Sequence, residues 1–272
     1  VGILYLVATP IGNLEDITLR ALRILGEVQA IAAEDTRQTR KLLSHYQIHT
    51  DLISYHEHNK EEQGKKLLKQ LEAGDIALVS DAGMPLLSDP GYELVRDALE
   101  EGHDIRPIPG PSAPLAALVV SGLPTDSFVF HGYLPRKAGE RLRVLEETAR
   151  ERSTILFFEV PHRLQDTLEA MEDVYGAGRR AAVCRELTKK FEEVQRGTVA
   201  ELGAYFKEHE PRGEFTIVVE GAAYVRWDEE KLRLAVSELL ADGISRKQAA
   251  RELSEFSGWT RNQIYELSLE EA

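Results

Sequence analysis

Residues 79–91 read VSDAGMPLLSDPG, and the fold turns on how this stretch is read. The run before it, DIALVS (75–80), has the length and Ile/Leu/Val content of a buried strand. GYELVRDALEEGH (91–103), which follows, has the apolar spacing of a helix stopped by Gly102. A plain strand-to-helix connection needs only a few turn residues. This one gathers Asp81, Gly83, Pro85, Asp89, Pro90 and Gly91. Glycine lets backbone approach a ligand closely and proline holds it still. The segment therefore reads as a rigid loop at the carboxyl end of a strand, where open α/β sheets bind their ligands.

Working outward, strand-like and helix-like segments alternate. ILYLVA (3–8) is a strand candidate, and the segment from Leu14 to Val28 carries Ile17, Leu22 and Leu25 at helical spacing. VQAIAAE (28–34) is a second strand, EEQGKKLLKQLEAG a helix ended by Gly74, and DIRPIPG a short strand running into a turn. This alternation predicts parallel strands joined by helical crossovers. PSAPLAALVVSGLPTDS reads as a helix followed by a linker at 121–127. A second set follows: FVFHGYL, RSTILFFEV (152–160), GRRAAVCRE (178–186), FEEVQRGTV and GEFTIVVEG (213–221) as strands, with the helix HRLQDTLEAMEDVYG among them. From Trp227 the pattern is helical only, with Ser245 and Thr260 as N-caps and Gly243 and Gly258 as stops. The expected architecture is α/β: an N-terminal α/β domain over 1–120, a second α/β domain over 121–226 and a three-helix unit over 227–272. The spacing of SRKQAARELSEFSGWTRNQIYELS is similar to a helix-turn-helix, but the unit is net acidic, and a structural appendage is the plainer reading.

Composition narrows the function. The chain has 272 residues, a net charge of −13 and 43% hydrophobic residues. No apolar run reaches the ~20 residues of a membrane span. The opening VGILYLVATPIGN has no basic start or small-residue cleavage site, and the single Cys184 excludes an internal disulfide framework, so a reducing, cytoplasmic setting and no membrane are expected. An acidic chain lacks unspecific affinity for nucleic acid, so an RNA-binding role needs a local basic surface.

Four segments follow strands of the first half: TPIGN (9–13), EDTRQT (34–39), SDAGMPLLSDPG (80–91) and PGPSA (109–113). All are dense in Gly, Pro and small hydroxyls. One would be a tight turn; four on one sheet edge predict a pocket. The chain contains neither G-x-G-x-x-G after the first strand nor G-x-x-x-x-G-K-S/T, which removes the usual dinucleotide and P-loop readings. The run His56-Glu57-His58 has no cysteine nearby and makes a weak metal signal, so no metal is expected. No nucleophile elbow is legible.

ATPIGNLEDIT, AAEDTRQTRKLL, SDAGMPLLSDPG, PGPSA, FFEVPHRL, RELTKKFEE and GEFTIVVEG, in that order, resemble the tetrapyrrole methylase superfamily over residues 3 to about 222. The resemblance implies two α/β domains with S-adenosyl-L-methionine in the cleft between them. Within the superfamily the motifs and the helical tail are most similar to the branch that methylates the ribose 2′-oxygen of a cytidine in 16S ribosomal RNA. It further implies a homodimer, with ribosomal RNA or the assembled small subunit as partner. Carried over by position, the cofactor contacts fall on Pro10, on Ala82, Gly83 and Met84, on Ser112 and Ala113, and near Phe158-Glu159 and Phe215-Thr216. Where many relatives have Gly-Asp-Pro, this chain has Gly83-Met84-Pro85, and Asp81 is the expected substitute carboxylate.

The implied chemistry is in-line attack of a ribose oxygen on a sulfonium methyl, helped by positioning and by a general base. Glu186, Lys189 and Glu57 are the candidate bases, and lysine serves only if its pKa is lowered. The expected RNA contacts are Arg37, Arg40, His56, His58, Asn59, His162, Arg163 and Arg185. Lys41, Arg136, Lys137, Arg141, Arg143, Arg179, Arg180 and Lys190 add to a possible basic groove; for Arg141 and Arg143 a solvated helix face is the simpler reading. Two alternatives stay open: a methyltransferase for a tetrapyrrole-type small molecule, and a non-catalytic protein that binds RNA or adenosylmethionine.

Overall fold

The computed structural model describes residues 2–223, 227–255 and 257–270. These fall into two compact units, 1–221 and 222–272. The first unit contains two five-stranded sheets. Its first half runs β1 (Ile3–Val7), α1 (Leu19–Glu27), β2 (Ala30–Ala33), α2 (Thr36–His45), β3 (Asp51–Ser54), α3 (Lys60–Leu71), β4 (Ile76–Val79), α4 (Tyr92–Glu100), β5 (Asp104–Ile108) and α5 (Ala113–Ser121). The strand order is β3-β2-β4-β1-β5 and every pairing is parallel.

The period-two rule of strands explains how this sheet is covered. In β4, Ile76 and Leu78 face one core with Leu67, Leu71 and Leu94 from α3 and α4. Ala77 and Val79, on the opposite face, meet Ala21, Ile24, Leu25 and Leu42 from α1 and α2. With both faces buried, β2 and β4 carry no polar side chain at all. The α1 boundary differs from the sequence reading. Leu14–Asp16 forms a 3-10 turn, and the helix begins only after Thr18, whose hydroxyl accepts from the Ala21 amide.

The second half continues with β6 (Phe128–Tyr133), α6 (Ala138–Thr148), β7 (Thr154–Glu159), α7 (Pro161–Tyr175), β8 (Arg180–Arg185), β9 (Glu193–Thr198), α8 (Val199–Glu208) and β10 (Phe215–Val219). Its order is β6-β7-β10-β8-β9, parallel only between β6 and β7. One face packs Ile155, Phe157, Val183 and Ile217 on residues of α6, α7 and α8. The other packs Leu156, Ala182, Cys184 and Val218 on Ala117 and Leu118 of α5. Thus α5 follows the first sheet in sequence and buries its inner side on the second.

The second compact unit holds α9 (Glu229–Ala241), α10 (Arg246–Ser254) and α11 (Arg261–Glu270) around Leu232, Val236, Leu253 and Ile264. Ser245 caps α10 by accepting from Gln248, and Thr260 accepts from Gln263 at the start of α11. Arg246 donates to the Ser268 carbonyl, an internal strut between α10 and α11.

Backbone strain concentrates in two loops. Among the described residues, five non-glycine positions have positive φ; Leu86 and Ser88 follow β4, Glu186 and Thr188 follow β8, and Gln47 stands apart. Positive φ at such residues costs of order 1 kcal/mol or more and persists where packing over-determines it. Gly91 closes the first of these loops at φ 135°, and a Cβ there would lie 2.7 Å from Leu78 Cδ2 and 3.1 Å from Leu86 Cδ1. Gly91→Ala is expected to destabilise the first unit by ~1–3 kcal/mol, read as a lower urea midpoint at unchanged slope.

Candidate functional site

The order of the first sheet creates a crevice between β1 and β4. The chain leaves β1 toward β2 on one side, and leaves β4 for β5 on the other. A crevice of that kind lies open at the carboxyl ends of the strands. Here the two flanking loops are tied across it: Thr9 N–H donates to Gly83 O at 2.9 Å, and Gly83 N–H donates to Thr9 O at 3.0 Å. The Thr9 hydroxyl adds a bond to the Ser80 carbonyl. Gly83, at φ 81°, turns the chain immediately afterwards.

A cavity of about 340 Å³ opens beside this tie, within the first compact unit. From the first half it is lined by Ile11 after β1, Glu34 after β2, Asp81 to Met84 and Leu87 to Asp89 after β4, and Ser112 to Pro114 at the start of α5. From the second half come Tyr133 at the end of β6, Phe158 in β7, Cys184 to Lys189 with gaps, and Glu214 to Thr216 at the start of β10. Ser112 precedes α5 without a side-chain cap, and Pro114 stands in its first turn. The first-turn amide of Ala113 therefore carries the partial positive charge of a helix N-terminus into the wall.

The remaining wall divides by charge. Ile11, Met84, Phe158, Leu187 and Phe215 form an apolar side. Opposite in character, Glu34, Asp81 and Asp89 bring three carboxyl groups together. Burial, with the charges of Asp89 and Asp81, raises the Glu34 carboxyl to about 7. Burial also raises Asp89 to about 6 against the Ser80 hydroxyl, which lowers it. Asp81 moves up as well, chiefly through burial. Its Oδ1 accepts from the Asp35 amide at 2.9 Å, which binds the turn after β2 to the loop after β4.

The segment after β8 supplies a different kind of charge. Lys189 Nζ lies 2.9 Å from Glu186 Oε1 and 3.0 Å from Glu214 Oε2. Burial works to lower the lysine, but the two carboxylates outweigh it and hold it above its ordinary value. Burial works to raise Glu186, but the Lys189 ammonium and the Glu214 amide hold it below the usual carboxylate range. Lys189 is thus a fixed cation, the reverse of what a lysine base requires, and Glu186 is a weakly basic carboxylate. The Lys189 stem crosses to the first half, where a Cβ on Gly12 would meet its Cγ at 2.3 Å. Gly12 is small because a side chain lies over it.

Of the residues expected from sequence, Asp81, Ala82, Gly83, Met84, Ser112, Ala113, Phe158, Phe215, Thr216, Glu186 and Lys189 meet at this cavity. Pro10 and Glu159 do not line it. Glu159 is fully buried: Arg163 pairs with it at 2.6 Å, the Val160 amide donates to it at 2.8 Å and Thr167 Oγ1 at 2.7 Å. Arg163 also donates to the Leu134 carbonyl and is only 12% exposed, so this pair clamps α7 onto the sheet instead of facing a ligand or RNA. Glu57 pairs with Lys60 on the exposed side of the turn after β3, outside the cavity lining. Asn59 is a turn-former, accepting from the His56 amide and donating to the Ser54 carbonyl. SYHEHNK reads as wholly exposed, yet Tyr55 is buried and His56 Nδ1 is enclosed. Arg185 pairs with Glu193, and Arg141, expected on a solvated face, is buried. Arg37, Arg40, His58 and His162 remain on the surface. Sequence reasoning missed Tyr133 and Glu214, and it placed the segments holding Glu34 and Asp89 at the pocket without assigning either residue a role. The available signal was position, since Glu34 is the first residue beyond a fully buried strand and Asp89 stands in the Pro/Gly-rich loop itself.

Comparison with known proteins gives three results. Residues 3–203 match the family of tetrapyrrole (corrin/porphyrin) methylases. The chain is 50% identical to "Ribosomal RNA small subunit methyltransferase I" of Halalkalibacterium halodurans, over 98% of this chain and 94% of that one. It is 46% identical to the protein of that name in Bacillus subtilis, over 97% and 93%. Among solved structures it resembles diphthine synthase at TM-score 0.62 and 15% identity, covering 81% of this chain and 90% of that one. It also resembles uroporphyrin-III C-methyltransferase from Thermus thermophilus complexed with S-adenyl homocysteine, at TM-score 0.58 and 21% identity, covering 80% and 97%.

The raised Glu34 carboxyl has a consequence for stability. A carboxyl whose folded pKa lies above its unfolded value binds its proton more tightly in the fold. Its contribution is full below about 4.5 and is lost as pH rises through about 7. Glu34→Gln, which mimics the protonated form, should therefore match the parent near the lower value. At pH above the upper one it should be more stable, by ~1–2 kcal/mol after discounting for partial exposure. Thermal unfolding at the two pH values measures the difference.

Proposed function

The chain belongs to the tetrapyrrole methylase family, and from that premise we propose that it methylates small-subunit ribosomal RNA with S-adenosylmethionine, at the 2′-oxygen of a cytidine ribose. The observation that carries this reading is the coincidence of a lined cavity at the β1/β4 crevice with relatives about half identical along the whole chain that are named small-subunit ribosomal RNA methyltransferases. The cytidine and its 2′-oxygen rest on the motif resemblance. A tetrapyrrole-type acceptor is disfavoured, because the family members with that substrate are alike in fold at only about a fifth identity.

The cavity residues fit the cofactor. Adenosylmethionine is a sulfonium cation with a zwitterionic tail and a flat adenine. The apolar side made by Ile11, Met84, Leu187 and Phe215 suits the ring, and the Asp81 and Asp89 carboxyls suit the cationic centres. The Ala113 amide at the start of α5 suits the carboxylate of the tail. When bound, the cofactor supplies an electrophilic methyl group. The Gly83 amide is committed to the Thr9 carbonyl, and the glycine sets the curvature that presents Ala82 and Met84.

RNA contact falls to Arg37, Arg40, His58 and His162. Arg37 is 84% exposed although it pairs with Asp35, and an exposed pair of that kind is weak and yields readily to phosphate. A ribosomal acceptor implies the cytoplasmic compartment. Among the described residues no helix is long and apolar enough to cross a membrane. A homodimer is supported by α5, whose outer side exposes Leu115, Val119 and Val120 beside its buried inner side.

Methyl transfer from labelled adenosylmethionine to unmethylated small subunits, followed by nucleoside mass spectrometry, should yield 2′-O-methylcytidine; label on another nucleoside or none would overturn the reading. Gly83→Val, forcing a branched side chain to φ 81°, should weaken cofactor binding at least ~10-fold by calorimetry. Val119→Glu should shift the light-scattering mass from dimer to monomer, and a parent protein already monomeric refutes the dimer.

A further inference from the structure

The base expected from sequence is not supplied by Lys189 or Glu186, which neutralise one another in a clasp with Glu214. Glu57 lies outside the cavity lining. Tyr133 is raised further above neutrality by burial, and the buried Cys184 thiol is pushed up to about 12. The transfer still has to remove a proton from a ribose hydroxyl, so another lining group must accept it.

We propose that Glu34 is this catalytic residue, accepting the 2′-hydroxyl proton in the methyl transfer inferred above, with Asp81 and Asp89 as its positioning neighbours. The inference rests on that reading of the function. Three features of the geometry support it. Glu34 is the first residue beyond β2, so its backbone is held by a fully buried strand. The next residue is locked twice: the Asp35 amide donates to Asp81, and the Asp35 carboxylate accepts from the Arg37 amide and guanidinium. The Glu34 side chain lines the cavity while the exposed cations Arg37 and Arg40 follow on α2. An RNA strand held by those cations would bring its ribose to the same edge.

The charged and titratable groups around Glu34 explain why it is suited to the task. On its own turn are Asp35 and Arg37, from the loop after β4 come Asp81 and Asp89, and the facing half supplies Tyr133, Glu186, Lys189 and Glu214. The nearer acids are uncompensated apart from Arg37, and together with burial they bring Glu34 to about 7, where a base is half ready at physiological pH. In the step itself the hydroxyl proton passes to the Glu34 carboxylate as the new oxygen–carbon bond forms. The carbon–sulfur bond breaks with its electron pair left on sulfur. Glu34 then returns the proton to water.

The test compares the parent protein with Glu34→Gln and Glu34→Asp on unmethylated small subunits across pH. Glu34→Gln should lose ~100-fold or more in kcat, the usual range for a general base. Its calorimetric Kd for adenosylmethionine should stay within about twofold of the parent, separating catalysis from binding. The ascending limb of the parent pH profile, centred near 7, should vanish, while Glu34→Asp keeps an intermediate rate. In cofactor-free protein with 13C-labelled glutamate, one carboxyl should titrate near 7 and be missing from Glu34→Gln. A Glu34→Gln protein with parental rate and pH limb overturns the proposal. So does a Kd that worsens in step with kcat/KM, or the absence of a near-neutral carboxyl. Parent protein that moves no methyl to the subunit sinks the acceptor reading and this inference with it; parental transfer with an indifferent Glu34→Gln sinks this inference alone.

Discussion

The reciprocal hydrogen bonds between Thr9 and Gly83 are the constraint on which the site depends. Parallel strands in the order β3-β2-β4-β1-β5 leave a crevice at their carboxyl ends, but a crevice between two free loops would have no defined wall. The bridge converts the loops after β1 and β4 into one surface. It also occupies the Gly83 amide, and the glycine's φ of 81° turns the chain so that Ala82 and Met84 line the cavity with it. The strained φ values at Leu86, Ser88, Glu186 and Thr188 occur in the two segments that flank this surface. Holding them requires the packed cores on either side.

Electrostatics separates the two sides of the cavity. Lys189 sits between Glu186 and Glu214, and the opposite charges of Lys189 and Glu186 hold both of these groups in their charged forms. Glu34, Asp81 and Asp89 form an uncompensated group in which burial and like charge favour the neutral acid. The same residue type therefore has opposite properties a short distance apart, because one set has an ammonium and the other does not. Proton chemistry near neutral pH belongs to the second set.

Most cations of this acidic chain are employed locally. Lys137, Arg143 and Arg180 pair with nearby carboxylates, Arg179 donates to two carbonyls, and Arg163 is the counter-ion of a buried glutamate. Removing one partner of that buried pair would cost ~3–5 kcal/mol, far more than the exposed pairs contribute. The basic surface is consequently narrower than a count of Arg and Lys suggests.

The alternation of apolar runs and helical spacings determined the parallel sheet, because a strand covered on both faces must be apolar throughout, as AIAA and IALV are. Glycine and proline placed the cavity-forming loop, since few residues besides glycine adopt the turn at position 83 without strain. The helix limits were legible where Ser245 and Thr260 cap their helices, and illegible at Leu14, where extended backbone at Ile17 and Thr18 separates a 3-10 turn from α1. The roles of charged residues were decided by tertiary structure alone. Arg163 and Arg37 both have a carboxylate within four residues, and only the fold buries the first pair and leaves Arg37 in solvent. Several counter-charges are sequence neighbours, but burial and the approach of Asp81 and Asp89 to Glu34 are properties of what the fold brings near from distant segments.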